Sequence, residues 1–181
     1  GFLFALEAQT LQERQQARRE SITDRVRACA EIVNASDKPF LVWCNLNEES
    51  AQLAAAIPDA VEVTGSDSDE KKEASIVGFL EGRYRVMVSK PKIAGLGLNL
   101  QHCADMAFVG LSDSYEQLYQ SIRRCWRFGQ TKPVTCHIIA AETEGATVAN
   151  IKRKEMDADR MAAAMVMHMA DLSSHAVRGS V

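Results

Sequence analysis

Two loops of the sequence combine residue types that could bind phosphate groups. The first runs from Lys90 to Leu100, directly after an apolar stretch that ends at Val88. Its glycines let the backbone approach a ligand closely, and Lys90 and Lys92 can meet phosphate oxygens. A G-x-G sequence after a strand is also typical of an ordinary turn, and the phosphate-cradling pattern G-x-x-x-x-G-K-[ST] occurs nowhere in the chain. The first loop therefore does not identify a nucleotide site by itself.

The second loop lies between Gln120 and Gln130 and is rich in arginine. Arg124 and Arg127 are three residues apart, which predicts that they project from one face of a helix. Gln120 then lies one turn before Arg124. An arginine guanidinium is always charged and presents forked donors, which suit the charge that builds up on a phosphoryl group during its transfer. The alternative interpretation is a basic helix end that complements the helix dipole.

Other reactive side chains near these loops fit weaker patterns. The arginines beside Cys125 would lower the pKa of its thiol, but no general base is nearby to make it a nucleophile. We expect Trp126 to be packed rather than stacked on a base or on adenine. The pairs His102-Cys103 and Cys136-His137 fit no zinc spacing, so no metal site is predicted.

The segments that must position these loops alternate between strands and helices. Apolar runs predict strands over 40–44, 61–63, 84–88, 106–109 and 134–139. Helical patterns cover about 6–34, 47–57, 70–81 and 145–172, and a further helix is opened by Ser114-x-x-Gln117. In the helix over 70–81 we expect Ile76, Phe79 and Leu80 to be buried. In the last helix, Met161, Met165, His168 and Leu172 form one stripe, which we expect to pack against the body of the domain or against a missing neighbour. This alternation predicts a three-layer α/β domain with a mostly parallel sheet, whose ligands bind at the carboxyl ends of the strands.

Composition limits the functions that these elements can serve. The chain has 181 residues, with Lys+Arg 21 against Asp+Glu 24 and a net charge of -3, so only local patches could attract a nucleic acid. The number of cysteines is odd and none are spaced C-x-x-C, which predicts a reduced, intracellular protein. No apolar run is long enough to span a membrane, and the start lacks the features of a signal peptide. Because the sequence begins without Met inside an apolar stretch, we expect it to be a fragment.

The two loops together resemble motifs of the second RecA-like lobe of superfamily-two helicases, specifically Swi/Snf-type DNA translocases and their phage and bacterial relatives. Gln120-x-x-Arg123-Arg124-x-x-Arg127-x-Gly129-Gln130 looks like motif VI, which in Swi/Snf proteins reads Q-x-x-(G/D)-R-x-x-R-x-G-Q. Residues 94–100 resemble motif V, 40–45 are similar to motif IV, and Gly65-Ser66 is similar to the Gly-Ser of the motif that follows. The departures are Lys90-Pro91 in place of the usual Ser-Thr, Ala94 in place of a glycine, and Arg123 where Gly or Asp is usual.

The resemblance implies a RecA-like fold and a division of labour between two lobes. A first lobe of the same polypeptide would hold ATP and Mg²⁺, while this lobe supplies Arg124, Arg127 and Gln120 to the γ-phosphate and the attacking water. In motif V, Gly95, Gly97 and Asn99 would couple the nucleotide to the nucleic acid. The resemblance further implies that Lys90, Lys92, Ser66 and Asn45 contact the phosphates of DNA, double-stranded in preference to single-stranded.

The sequence-based interpretation is thus the second motor lobe of an ATP-dependent DNA helicase or translocase, inactive as an ATPase alone. It divides the chain into an N-terminal helical extension (1–36), the RecA-like lobe (37–145) and a C-terminal helix (146–181). We expect it in the cytoplasm of a bacterial or phage-infected cell, with no membrane partner. One alternative is a non-enzymatic RecA-like module that binds nucleic acid or a protein; another is a nucleotide-sugar transferase with a similar sheet, which the paired arginines disfavour.

Overall fold

A five-stranded parallel sheet forms the centre of the molecule, in a computed structural model that describes residues 10–93 and 98–178. The strands are β1 (Phe40–Trp43), β2 (Ala60–Val63), β3 (Val86–Ser89), β4 (Asp105–Val109) and β5 (Thr135–Ile139). The helices are α1 (Leu11–Glu20), α2 (Ile22–Asn34), α3 (Asn47–Ala56), α4 (Asp69–Leu80), α5 (Tyr115–Ile122) and α6 (Gly145–Arg178), with one 3-10 turn at Glu142–Glu144. The strand order is β2-β3-β1-β4-β5, and every pairing is parallel. The predicted α/β class and parallel sheet are confirmed.

Successive residues of the three central strands face opposite sides of the sheet and build two apolar layers. On one side, Val42, Val88 and Ala107 pack with α2 and α3; on the other, Leu41, Met87 and Met106 pack with side chains of α4, α5 and α6. All four residues of β1 are buried, as expected for the middle strand of a sheet covered on both faces. Side chains of the helices therefore cover both faces of the sheet, and the loops that leave the carboxyl ends of its strands lie at one edge.

The predicted single helix over 6–34 is wrong, because two helices meet at Ser21. The Ser21 hydroxyl donates to the carbonyl of Ala17 (2.7 Å) and accepts from Nη1 of Arg25 (2.6 Å), and the backbone leaves helical geometry there, at φ -95° and ψ 6°. The first helix starts at a capping box of Thr10 and Glu13. Residues 6–9 of the predicted helix lie outside the described part of the chain. Helix α2 packs on the sheet, and the proposed boundary at residue 36 stays a prediction.

One predicted burial is wrong. In α4, Phe79 is buried but Leu80 is 41% exposed, because it lies on the outer side of the last turn. In α6, Ile151 is buried against the body, whereas Met161 is 66% exposed, so it does not pack against the body and its packing against a missing neighbour stays a prediction. The side chains of Met165, His168 and Leu172 lie outside the described part of the structure. Across residues 10–93 and 98–178, no helix combines the length and the apolar character needed to cross a bilayer.

Candidate functional site

The loops that leave β1, β3 and β4 surround one cavity of about 750 Å³ at the carboxyl edge of the sheet. Its lining consists of Asn45, Lys90, Pro91, Lys92, Ser112, Asp113, Ser114, Gln117 and Lys154. Of the four side chains predicted to contact nucleic acid, Asn45, Lys90 and Lys92 therefore share this cavity. Parallel strands bring their carboxyl ends to one edge, which explains why residues far apart in sequence meet here.

Two hydrogen bonds connect the loops around the cavity. The Asn45 side chain donates from Nδ2 to the carbonyl of Gly110 (3.1 Å), and the Lys90 ammonium donates to Oδ1 of Asn47. Gly110 has φ +67°, a left-handed conformation that side chains disfavour, so the turn after β4 depends on glycine. These bonds join the loops that follow β1, β3 and β4 to one another.

The fourth predicted nucleic-acid residue, Ser66, lies outside the cavity lining. It is exposed in the loop after β2, where its hydroxyl pairs with the hydroxyl of Thr64 (3.0 Å). The same loop touches the segment after β3, because a Cβ on Gly65 would lie 3.7 Å from Cδ1 of Ile93. The two loops are thus neighbours, and Ser66 is exposed on the loop after β2.

The arginine segment is not the continuous helix that its spacing predicts. Helix α5 is capped by Ser114, whose side chain accepts from the amide of Gln117 (3.2 Å), and the helix ends at Ile122. Residues 123–129 form successive turns, and the carbonyl of Arg124 accepts from the amide of Leu100 (3.0 Å) instead of continuing the helix. The buried Cys125 side chain and the left-handed Gly129 (φ +95°) complete the change of direction.

The two predicted phosphate-binding arginines lie close together beside this turn. Burial, and next the charge of Arg127, lower the pKa of the Arg124 guanidinium below its ordinary value. Arg127 is exposed, and within the described residues it forms no side-chain hydrogen bond or salt bridge. Gln120 is exposed on the last turn of α5. The segment therefore presents two neighbouring guanidinium groups, one of them fully available to an anionic partner.

Hydrogen bonds connect the arginine segment to the end of the lysine loop. The amide of Gln101 donates to Oδ1 of Asn99 (3.3 Å), and the side chain of Gln101 donates to the carbonyl of Phe128. Gln130 donates from Nε2 to the carbonyls of Gln101 (2.9 Å), Cys103 (3.3 Å) and Cys125 (3.2 Å). A displacement of either loop must therefore disturb the other. The predicted coupling residues Gly95 and Gly97 lie outside the described residues.

Aromatic side chains flank the arginines, contrary to the expectation that Trp126 is packed. Trp126 is 54% exposed and Phe128 is fully exposed, because the turns after α5 direct them outward. The guanidinium of Arg123 lies over the ring of Trp126, 5.5 Å from its centroid, and 6.0 Å from that of Tyr119. Sequence reasoning missed this exposed cluster because it treated the segment as helical.

The hydrogen bond between Cys103 and Cys125 lowers the pKa of the Cys103 thiol and keeps the Cys125 thiol at the arginine turn protonated. The hydrogen bond with Cys103, followed by burial, raises the pKa of the Cys125 thiol far above its ordinary value, contrary to the lowering expected from nearby arginines. Burial also raises the pKa of Cys44 to about 12. Neither thiol is ionised near neutral pH, so neither is a nucleophile. The described part of the chain contains no group of three or more His, Cys, Asp or Glu side chains placed to bind a metal ion.

A buried charge network, which the sequence analysis did not identify, holds one of the loops that line the cavity. Arg25 is 2% exposed and bonds both Glu49 and Glu144 (3.0 Å to the latter), which are 0% and 3% exposed. Glu49 also accepts from the amides of Asn45 (3.1 Å) and Leu46 (3.0 Å). The network thus holds the loop that carries Asn45. One signal was available, since Arg25 lies within the apolar stripe of α2.

A five-stranded parallel sheet covered by helices on both faces, with a lysine-lined cavity at its carboxyl edge, is the architecture of a RecA-like lobe. The chain belongs to the helicase conserved C-terminal domain family, whose model matches residues 14–129. It is 25% identical over 117 residues to DEAD-box ATP-dependent RNA helicase 21 of Oryza sativa subsp. japonica, a match that covers 62% of this chain. The match spans 16%, or about a sixth, of that curated relative.

Solved structures share the fold at low sequence identity. The C-terminal part of the Fun30 ATPase domain has a TM-score of 0.62 at 17% identity, over 70% of this chain and 45% of that one. E. coli DEAD-box protein SrmB, bound to regulator of ribonuclease activity A, has a TM-score of 0.65 at 16% identity, over 74% of this chain and 79% of that one. At these identities the likeness establishes the fold alone.

Proposed function

We propose that this lobe is the second half of an ATP-driven nucleic-acid motor, and that its arginines complete an ATPase site held mainly by a first lobe. The observation that carries the proposal is the juxtaposition of Arg124 and Arg127 on a turn that is bonded to the lysine loop. Two adjacent guanidinium groups suit the three oxygens of a γ-phosphate. The family assignment supports the same role.

The chain's own residues fit ATP only in part. Arg127 has free donors within the described residues and Arg124 lies beside it, whereas no P-loop sequence and no described cluster of carboxylates is present to hold Mg²⁺. ATP and Mg²⁺ would therefore be held by an N-terminal lobe of the same polypeptide. When the lobes close, Arg127 and Arg124 bind the γ-phosphate, and Gln120 orients the attacking water. Bound ATP would supply the γ-phosphoryl group, which passes to water and leaves ADP.

Coupling to movement follows from the hydrogen bonds between the two loops. Asn99 and Gln101 connect the end of the lysine loop to the backbone of Phe128, so a change in the position of the arginine segment is transmitted to Asn99. Lys90, Lys92 and Asn45 bind backbone phosphates in the cavity, and Ser66 binds a phosphate from the loop after β2. Phosphate contacts position a nucleic acid without reading its sequence, as a motor that moves along it requires.

We propose double-stranded DNA as the track and a Swi/Snf-like motor as the class. The support is the R-x-G-Q ending of the arginine segment, where Gln130 fastens the turn through bonds to three carbonyls. Gln130 is part of the Swi/Snf form of the motif, and the Fun30 structure shares the fold. The match to an RNA helicase supports RNA as the competing track.

The decisive test is ATP turnover by the complete protein in the presence of duplex DNA, single-stranded DNA or RNA. Arg127→Ala should lower stimulated turnover by on the order of a thousandfold, because an arginine finger contributes at least that much. Arg83→Ala is the matched control, since Arg83 is an exposed arginine that bonds only Glu81 among the described side chains. Equal turnover by both variants would contradict the finger assignment.

The identity of the stimulating polymer separates the remaining possibilities. Greater stimulation by duplex DNA than by RNA supports the proposed track, and the reverse result replaces DNA by RNA. If the wild-type protein hydrolyses no ATP with any polymer, the motor proposal fails. A non-enzymatic module that binds nucleic acid or a protein partner then becomes the better account.

A further inference from the structure

Helix α6 contributes one side chain to the cavity, although it lies beyond the segment matched by the family model. The model ends at residue 129, and α6 begins at Gly145. The Lys154 ammonium donates to the carbonyl of Asp113, and Asn150 donates from Nδ2 to Oδ1 of Asp113 (3.4 Å). These bonds fasten the start of α6 to the loop after β4. Lys154 thereby shares the cavity lining with Lys90 and Lys92 of the lysine loop.

The charges around the cavity favour an anion. Lys90, Lys92 and Lys154 line it together with a single carboxylate, that of Asp113. Within the described residues, none of these three lysines forms a salt bridge. Lys90 donates to a side-chain amide and Lys154 to a backbone carbonyl, both of which are neutral acceptors. Most of the positive charge of the cavity is therefore not neutralised by the protein.

We infer that Lys154 completes a three-lysine site for a backbone phosphate of the nucleic acid, an inference that rests on the proposed motor function. An ammonium binds an anionic phosphate oxygen more strongly than a neutral carbonyl, so Lys154 can exchange its bond to Asp113 for one to the ligand. The cavity of about 750 Å³ is large enough for a phosphate with its sugars. Lys154 thus makes the start of α6 part of the nucleic-acid surface.

The test measures binding of a labelled DNA duplex, and of an RNA of matched length, to the complete protein over a range of salt concentrations. Lys154→Ala should weaken binding about three- to tenfold and reduce the slope of log K against log salt by about 1, as expected for the loss of one phosphate contact. Lys154→Arg should keep most of the slope, because the charge is retained. Lys152→Ala is the control, since Lys152 is exposed on the same helix and outside the cavity.

The outcomes distinguish this inference from the motor proposal. If the wild-type protein shows stimulated ATP turnover but Lys154→Ala binds with the salt slope of Lys152→Ala, only the role of Lys154 is wrong. If the wild-type protein binds neither polymer, both proposals are wrong. Calorimetry with inorganic phosphate tests whether the cavity binds free phosphate instead of a nucleic-acid phosphate. If Lys154→Ala loses phosphate binding while the salt slope of its nucleic-acid binding is unchanged, the assignment to the nucleic-acid backbone is overturned. Cooperative melting of each variant confirms that it is folded.

Discussion

The residue types that carry the proposed chemistry could be read from the sequence, whereas their exposure could not. Arg124 and Arg127 were found by type and spacing, and the structure places them together. Trp126 was expected to be packed, yet it faces outward, because the helix that would have carried it inward ends at Ile122. Past the end of the helix, the carbonyl of Arg124 accepts from the amide of Leu100, a contact between distant parts of the chain that local patterns do not reveal.

The two tryptophans offer a direct test of this difference in burial. Trp43 is 1% exposed and stacks on Phe108, so Trp43→Ala should lower the free energy of unfolding by about 3–5 kcal/mol. Trp126→Ala removes only an exposed ring and a contact with Arg123, for which about 1 kcal/mol or less is expected. Urea unfolding of both variants measures the difference. Similar losses would mean that Trp126 is packed after all.

Among the elements, the helix in front of β1 is tied to the site by charge as well as by apolar packing. Arg25 of α2 joins Glu49, which holds the loop after β1, to Glu144, which precedes α6. The apolar spacing of α2 was predicted correctly, since Ile22, Val26 and Cys29 are all buried. The buried ion network was not predicted, because pairing a charge in one element with charges in two others requires their tertiary arrangement.

Removing the arginine of this network should be far more costly than removing an exposed one. Arg25→Ala leaves the buried Glu49 without a cation and leaves Glu144 with Arg18 alone (3.2 Å), for which a loss of about 3–5 kcal/mol is expected. Arg27→Ala, two residues away on the same helix, breaks an exposed pair with Asp24 (2.9 Å) and should cost at most about 1 kcal/mol. Urea unfolding compares the two. If Arg25→Ala does not fold, Arg25→Lys should fold with an intermediate loss in the free energy of unfolding. Equal stability of Arg25→Ala and Arg27→Ala would contradict a structural role for the network.

Over the whole molecule, the order of elements was predictable but their arrangement in space was only partly so. Apolar runs and helix starts gave all five strands and the parallel sheet. The lateral order β2-β3-β1-β4-β5 and the reach of α6 into the cavity depend on contacts between residues far apart in sequence. The local patterns in the sequence do not encode such contacts. Three of the four predicted nucleic-acid residues nevertheless share a cavity, because the carboxyl edge of a parallel sheet gathers its loops by geometry.

The lobe on its own should be a stable fold and an inactive enzyme. Both faces of the sheet are covered by helices, which supports cooperative folding of the 181-residue chain without another lobe. Far- and near-ultraviolet circular dichroism should therefore melt in one coincident transition. Without a P-loop, the same chain should bind ATP more weakly than about 1 mM by calorimetry and show no turnover with DNA or RNA. Micromolar ATP binding would contradict the division of the nucleotide site between two lobes. Separate transitions in the far- and near-ultraviolet melts would mean that one apolar layer must be covered by another part of the protein.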